Sequence, residues 1–326
     1  MAQPPSRSTD TQSSPVPWTP QTLTLDAWED LGPARHSGAD TVGREDGYWS
    51  TTDNEQLYWQ AWFDDSPQAN PRGTVALMHG YAEHSARYGH IATALVRSGY
   101  QVLAIDARGH GRSTGRRGHI DRFERYVDDM AILKRRALDR WPDQPLFMLG
   151  HSNGGLITLR YALRKPDGVT GYVVSSPLCQ LALEVPRLKE LLGRLTSRMV
   201  PTLSLPSGID PGDISHIDEV VERYQRDPLV FDITTARWFT ETQQAMADLA
   251  QRANTLDQPF LFLVAGADCI VDSGTTEKVF HDLGSLDREL EVFPDLSHEI
   301  FNERPWRDIL QRTILWMERH RSPASP

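Results

Sequence analysis

A chain of 326 residues, 39% of them hydrophobic, can bury a sizeable core and form one large domain or a domain carrying an insertion. Its formal net charge of −10 argues against a nucleic-acid surface, which needs clustered Lys and Arg; RRGH at 116–119 is the only compact basic spot. Two cysteines, Cys179 and Cys269, cannot build a disulfide framework and have no metal-ligand spacing, so both are expected to be buried thiols.

Residues 1–40 begin with a Pro-, Ser-, Thr- and Gln-rich stretch and are expected to form a mostly disordered tail. No leader-like segment and no apolar run long enough to span a bilayer is visible, so a cytoplasmic location is the default expectation. Apolar runs of strand length then recur: YWSTTD, QLYWQAWF, TVALMHG, YQVLAID, PLFMLG, YVVSSP, FLFLVAG and ELEVFPD. The central runs are unbroken and not alternating, as in parallel strands covered on both faces. Helical patterns lie between them: RYGHIATALVRSG, RFERYVDDMAILKRRALDRW, GGLITLRYALRK, SGTTEKVFHDLG and RPWRDILQRTILWMERH. This alternation predicts an α/β fold, a mostly parallel sheet with helices on both faces. About 80 residues between 177 and 260 break the rhythm without a clear strand, which predicts a helical cap at 178–250 inserted in a core of 41–177 and 251–322.

Two stretches spell G-x-S-x-G: GHSNG at 150–154 and GRSTG at 111–115. A nucleophilic serine on a strand-to-helix bend needs a strand before it, a helix after it and small residues two positions away on either side. Ser152 meets these requirements, whereas Ser113 lies in a polar, glycine-punctuated loop. A serine hydroxyl also needs a histidine base oriented by a carboxylate. The order Ser, acid, His used by α/β-hydrolases selects Asp268, just past the strand FLFLVAG, and His298, in the loop after the last strand. Asp272 is placed to cap the next helix, and His281 falls within that helix. The backbone N–H of Asn153, after the nucleophile, and of Tyr81, after Gly80, are candidates for an oxyanion hole. His79 reads as a loop-shaping residue.

The stretches HGYAEHSARY (79–88), DARGHGRS (106–113), GHSNGG (150–155), GADCIVD (266–272) and LSHEIFNE (296–303) resemble the monoacylglycerol lipase and lysophospholipase-like branch of the α/β-hydrolases. VPTLSLPSGIDPGDISHIDEVVERYQRDPLV (200–230) resembles that branch's cap. The resemblance implies a Ser152–Asp268–His298 triad, an oxyanion hole from Tyr81 and Asn153, no metal or organic cofactor, and a lipid or other small ester substrate. It also implies a polar pocket end at Glu83, Arg87, His151 and Tyr224; the alternative for Glu83 and Arg87 is a buried ion pair that locks their loop. Two positions depart from the family: Asn153 stands where methionine is commoner, and His216 where arginine is frequent. In the cap, PRLKELLGRLTSRMV puts Leu188, Leu191, Leu192, Leu195 and Met199 on one helical stripe. That stripe packs on the core, lines an acyl pocket through Leu188, Leu192 and Leu195, or docks transiently on a membrane. Glu184, Glu219 and Glu222 keep open an aminopeptidase relative, whose substrate ammonium would need acidic cap residues.

Overall fold

A computed structural model describes residues 42–66, 69–182 and 187–321; the side chains of 187–192 lie outside the described residues, as do the expected tail and Glu184. Strands β1 (Val42–Ser50), β2 (Gln56–Asp64), β3 (Gly73–Met78), β4 (Tyr100–Ile105), β5 (Leu146–His151), β6 (Gly171–Ser175), β9 (Phe260–Ala265) and β10 (Arg288–Phe293) form one eight-stranded sheet. Its order is β1-β2-β4-β3-β5-β6-β9-β10. The β1–β2 and β2–β4 pairings at one edge are antiparallel, and the other pairings of this sheet are parallel.

The unbroken apolar runs are explained by burial on both faces. Along β9, Phe260, Phe262 and Val264 join one core cluster with residues of α2 (Glu124–Arg140), α3 (Asn153–Ala162) and α7 (Ser273–Asp282). Leu261, Leu263 and Ala265 point the other way, into the cluster of α1 (Gly89–Arg97) and α8 (Trp306–His320). Side chains alternate between faces, so a strand covered twice must be apolar at every position.

The structure departs from the expected elements in three places. β1 starts at Val42, ahead of the YWSTTD run, because its first half is the charged stretch VGRED. Exposed charge suits an edge strand, which must not pair with other chains. The insertion between β6 and β9 contains α4 (Arg187–Met199), α5 (Asp218–Arg226) and α6 (Ala236–Arg252), and also a short antiparallel pair, β7 (Ser204–Pro206) with β8 (Ile233–Thr235). Strands of three residues leave no readable period. The boundary placed at 250 falls inside α6, whose Trp238, Ala245, Met246 and Leu249 join the main core, so this helix serves the crossover to β9. The cap keeps its own apolar cluster of Ile214, Ile217, Val220 and Tyr224, which reaches the core at Ile270.

Cys179 is buried, and burial pushes its thiol up to about 12. Cys269 is exposed, which corrects the expectation of two buried thiols. It follows Asp268 on a turn whose inward position the carboxylate takes.

Candidate active site

Ser152 sits between β5 and α3 with φ 52° and ψ −120°, in the left-handed region that a residue with a Cβ occupies at a cost of about 1–3 kcal/mol. The crowding around it dictates its glycine neighbours. A Cβ on Gly150 would lie 2.3 Å from Thr158 Oγ1 and 2.4 Å from the Gly154 carbonyl; one on Gly154 would lie 2.3 Å from the Met78 carbonyl oxygen. Strand and helix therefore approach too closely for any side chain at these positions. Ser113 has a structural role: its hydroxyl donates to the Asp106 carbonyl (2.5 Å) and accepts from the Tyr58 N–H (2.8 Å).

Asp268 and His298, thirty residues apart in the chain, meet at 2.6 Å, with Nδ1–H donating to Oδ2. The other carboxylate oxygen accepts from the N–H groups of Ile270 (2.8 Å) and Val271 (2.9 Å), which fixes the acid. Burial alone would favour a neutral Asp268, but the facing imidazole and these donors outweigh it and hold the carboxyl below its ordinary value. Burial likewise disfavours a charged His298, yet the Asp268 carboxylate outweighs it, with Glu299 and Glu83 adding to the effect, and raises the imidazole above its ordinary value. Ser152 and His298 border the same cavity without a direct hydrogen bond among the described residues; such contacts commonly tighten only around substrate. Asp272 caps α7 through the Thr275 N–H at 2.6 Å, and His281 is exposed on that helix.

His79 bridges the Gly80 carbonyl (2.7 Å) and the Ala107 N–H (2.8 Å), so it holds the loop after β3 in shape. Gly80 lies against Ser152: a Cβ there would be 3.2 Å from Ser152 Cβ. Its own N–H is committed to Glu83 Oε1 at 2.6 Å. The Tyr81 N–H has no acceptor among the described residues, and Asn153 opens α3, where an N–H lacks an intrahelical partner. Tyr81 borders the cavity at Ser152, and Asn153 directly follows that serine. The Asn153 side-chain oxygen is buried with no partner among the described residues.

Glu83 and Arg87 meet as a buried ion pair at 2.6 Å. Sequence reasoning missed the third member: Glu299 grips the same guanidinium through both oxygens, at 2.6 and 2.7 Å. The sole signal was a carboxylate directly after the base histidine, and nothing in the spacing links it to an arginine 212 residues away. The Tyr224 ring covers the guanidinium at 4.9 Å. His151 borders the same cavity; burial, helped by its neighbour His298, lowers it to about 4, so it is neutral.

The cavity at Ser152 measures about 20 Å³, room for roughly one water. Ile209, Ile214 and Tyr224 of the cap and Ile270 of the core close over it, and none of these isoleucines stood out in the sequence. Leu195 does not border it and is 55% exposed, so the expected acyl-wall role is corrected for this residue: the stripe's end faces solvent. The side chains of Leu188 and Leu192 lie outside the described residues. Among the described residues no cluster of three His, Cys, Asp or Glu is placed to hold a metal ion.

A sheet of this order, a serine on a strained strand-to-helix bend and an Asp–His pair beside it define a serine hydrolase of the α/β-hydrolase fold. The pattern of the family described as serine aminopeptidase, S33, matches residues 69–305, and the chain belongs to that family. The monoacylglycerol lipase of Mycolicibacterium smegmatis is 32% identical over 81% of this chain and 94% of its own length. An uncharacterized abhydrolase domain-containing protein of Dictyostelium discoideum is also 32% identical, over 84% of this chain, which spans 30% of that longer protein. The crystal structure of Paleococcus ferrophilus monoacylglycerol lipase superposes with a TM-score of 0.71 at 32% identity, covering 81% of this chain and 99% of that one.

Proposed function

We propose that the chain hydrolyses monoacylglycerol-like or lysophospholipid esters through an acyl-enzyme. The observation that carries the reading is the 2.6 Å Asp268–His298 contact beside a serine held at φ 52°. In this reading Ser152 Oγ attacks the ester carbonyl while His298 Nε2 takes its proton. Asp268 orients and stabilises the imidazolium, and the Tyr81 and Asn153 amides hold the oxyanion. The imidazolium protonates the leaving alcohol; water then attacks the acyl-serine with His298 again as base, releasing the acid. His151 and Tyr224 border the side where a glycerol would lie, whereas both oxygens of Glu83 and the guanidinium of Arg87 are engaged within the protein. That supports the loop-locking role for the Glu83–Arg87 pair.

The 20 Å³ cavity favours a second reading, a carboxylesterase for small soluble esters. An aminopeptidase finds less support, since Glu219 and Glu222 are exposed on α5. Among the described residues no helix is long and apolar enough to cross a membrane, and the solvent-facing end of α4 supports peripheral, reversible contact with lipid.

A fluorophosphonate probe should label Ser152 covalently, with the label lost in Ser152→Ala and kept in Ser113→Ala. Esters of rising chain length separate the two substrate readings. An acyl path adds about 0.8 kcal/mol per buried CH₂ until it is filled, so kcat/KM climbs from acetate to long chains. Rates that fall beyond butyrate select the small-ester reading.

A further inference from the structure

The geometry points to Glu299 as a positioning residue for the hydrolysis. We infer that it ties the loop of the base to the loop of the oxyanion hole through Arg87, and that its negative charge stabilises the imidazolium formed on His298. This rests on the triad reading proposed above.

The ties are buried or partly buried. Arg87 Nη1 donates to Glu83 Oε2 and to Glu299 Oε1, both at 2.6 Å, and Nη2 donates to Glu299 Oε2 at 2.7 Å. Glu83 passes the constraint on: its Oε1 accepts from the Gly80 N–H, one residue before the Tyr81 amide, and from the Tyr88 hydroxyl at 2.7 Å. Glu299 is held on its own side by Asn302 Nδ2 at 2.8 Å, and its N–H donates to the Ile214 carbonyl of the cap at 2.9 Å. Only 11%, 3% and 7% of the Arg87, Glu83 and Glu299 side chains is exposed, so water contributes little to holding these groups. One guanidinium therefore fixes the base loop, the oxyanion loop and, through Tyr224 and Ile214, the cap relative to each other.

The charge balance gives this clamp a second effect. Two carboxylates share one guanidinium and leave a net negative charge buried beside the triad, a costly arrangement in the resting enzyme. Proton transfer from Ser152 creates a positive imidazolium next to that excess, so the attraction strengthens as the reaction proceeds, which is the condition for it to raise the rate. The groups facing His298 are Asp268 after β9, the neutral His151 at the end of β5, Glu83 on the oxyanion loop and Glu299 itself. Tyr224 borders the same cavity as His298 and covers the Arg87 guanidinium that Glu299 holds, while His216 of the cap contacts Ser297 and Glu303.

Glu299→Gln tests this, because it keeps the side chain's shape and removes its charge. With p-nitrophenyl butyrate, kcat should fall about 10- to 100-fold with little change in KM. The base must be neutral to act, and loss of a nearby negative charge makes the imidazolium less stable, so the acid limb of the kcat/KM profile should move to lower pH. A merely structural glutamate would leave that limb in place, and an unmoved limb with wild-type kcat overturns the inference. Should Glu299→Gln not fold, Glu299→Asp keeps the charge but shortens the reach: the limb should stay while kcat falls, and wild-type kcat would count against the clamp. Fluorophosphonate labelling of the wild type is the control. No labelling at Ser152 refutes the triad reading itself, whereas labelling with a silent Glu299→Gln refutes only this inference.

Discussion

At position 80 a missing Cβ lets the backbone lie against Ser152. The Gly80 backbone passes so near the nucleophile that a methyl group would sit 3.2 Å from Ser152 Cβ, 3.3 Å from His151 Cδ2 and 2.8 Å from Glu83 Oε1. A loop that retreats to relieve these contacts takes the Tyr81 amide, the proposed oxyanion donor, with it. Losing one oxyanion donor costs about 10²- to 10³-fold in kcat. Gly80→Ala should therefore lower kcat by that order while KM for a small ester barely moves; a KM effect with intact kcat would show that the loop serves binding instead. The same scale marks how much of the site could be read in the sequence. Ser152, Asp268 and His298 were legible as candidates because each occupies a fixed place relative to a strand end, and strand ends are visible in the apolar pattern. Glu299 was not, because its partner Arg87 is brought to it only by the sheet order. Cys269 was misjudged because residue type carries no information about which side of a turn a side chain takes.

At the scale of elements, the sharp bend between β5 and α3 works only because both can pack against β3. Gly154, in the first turn of α3, faces the carbonyls of Met78 and His79 at the end of β3, 2.3 and 2.4 Å from a built Cβ. Those are backbone atoms in a central strand and cannot rotate aside. Gly154→Ala should cost about 1–3 kcal/mol or more through overpacking, visible as a clear drop in Tm by calorimetry. A melt identical to wild type would mean that the helix shifts freely and that the close approach is unimportant. The elements that double burial makes apolar were read from the sequence in the right order. Elements held by other means were not: β1 is paired by backbone and guarded by charge, and β7 and β8 have three residues each. The stripe of α4 was read as apolar on one side, but periodicity reveals only that a face exists and not what covers it. Leu195 and Met199 turn out to face solvent.

At the scale of the whole molecule, most of the large hydrophobic residues exposed among the described ones fall in one stretch of the chain. Of the eight large hydrophobic residues that are exposed among the described ones, Leu195, Met199, Val200, Leu203 and Leu205 fall within one short stretch from the end of α4 to β7. Scattered exposure is ordinary, whereas a concentrated patch marks an interaction surface. Arg194 and Arg198 are exposed on the same helix, a cationic rim on a chain whose formal net charge is −10. An apolar patch with an arginine rim suits a lipid surface, and anionic headgroups would add an attraction that salt screens. Replacing Leu195 and Met199 together with Ser removes exposed apolar area that does not border the Ser152 cavity, so turnover of p-nitrophenyl butyrate should stay within about twofold, because exposed positions contribute little to stability. Sedimentation with phosphatidylcholine–phosphatidylglycerol vesicles should drop sharply in the double variant, and wild-type binding should weaken as salt rises. If the double variant sediments as wild type does, this stretch does not dock on lipid.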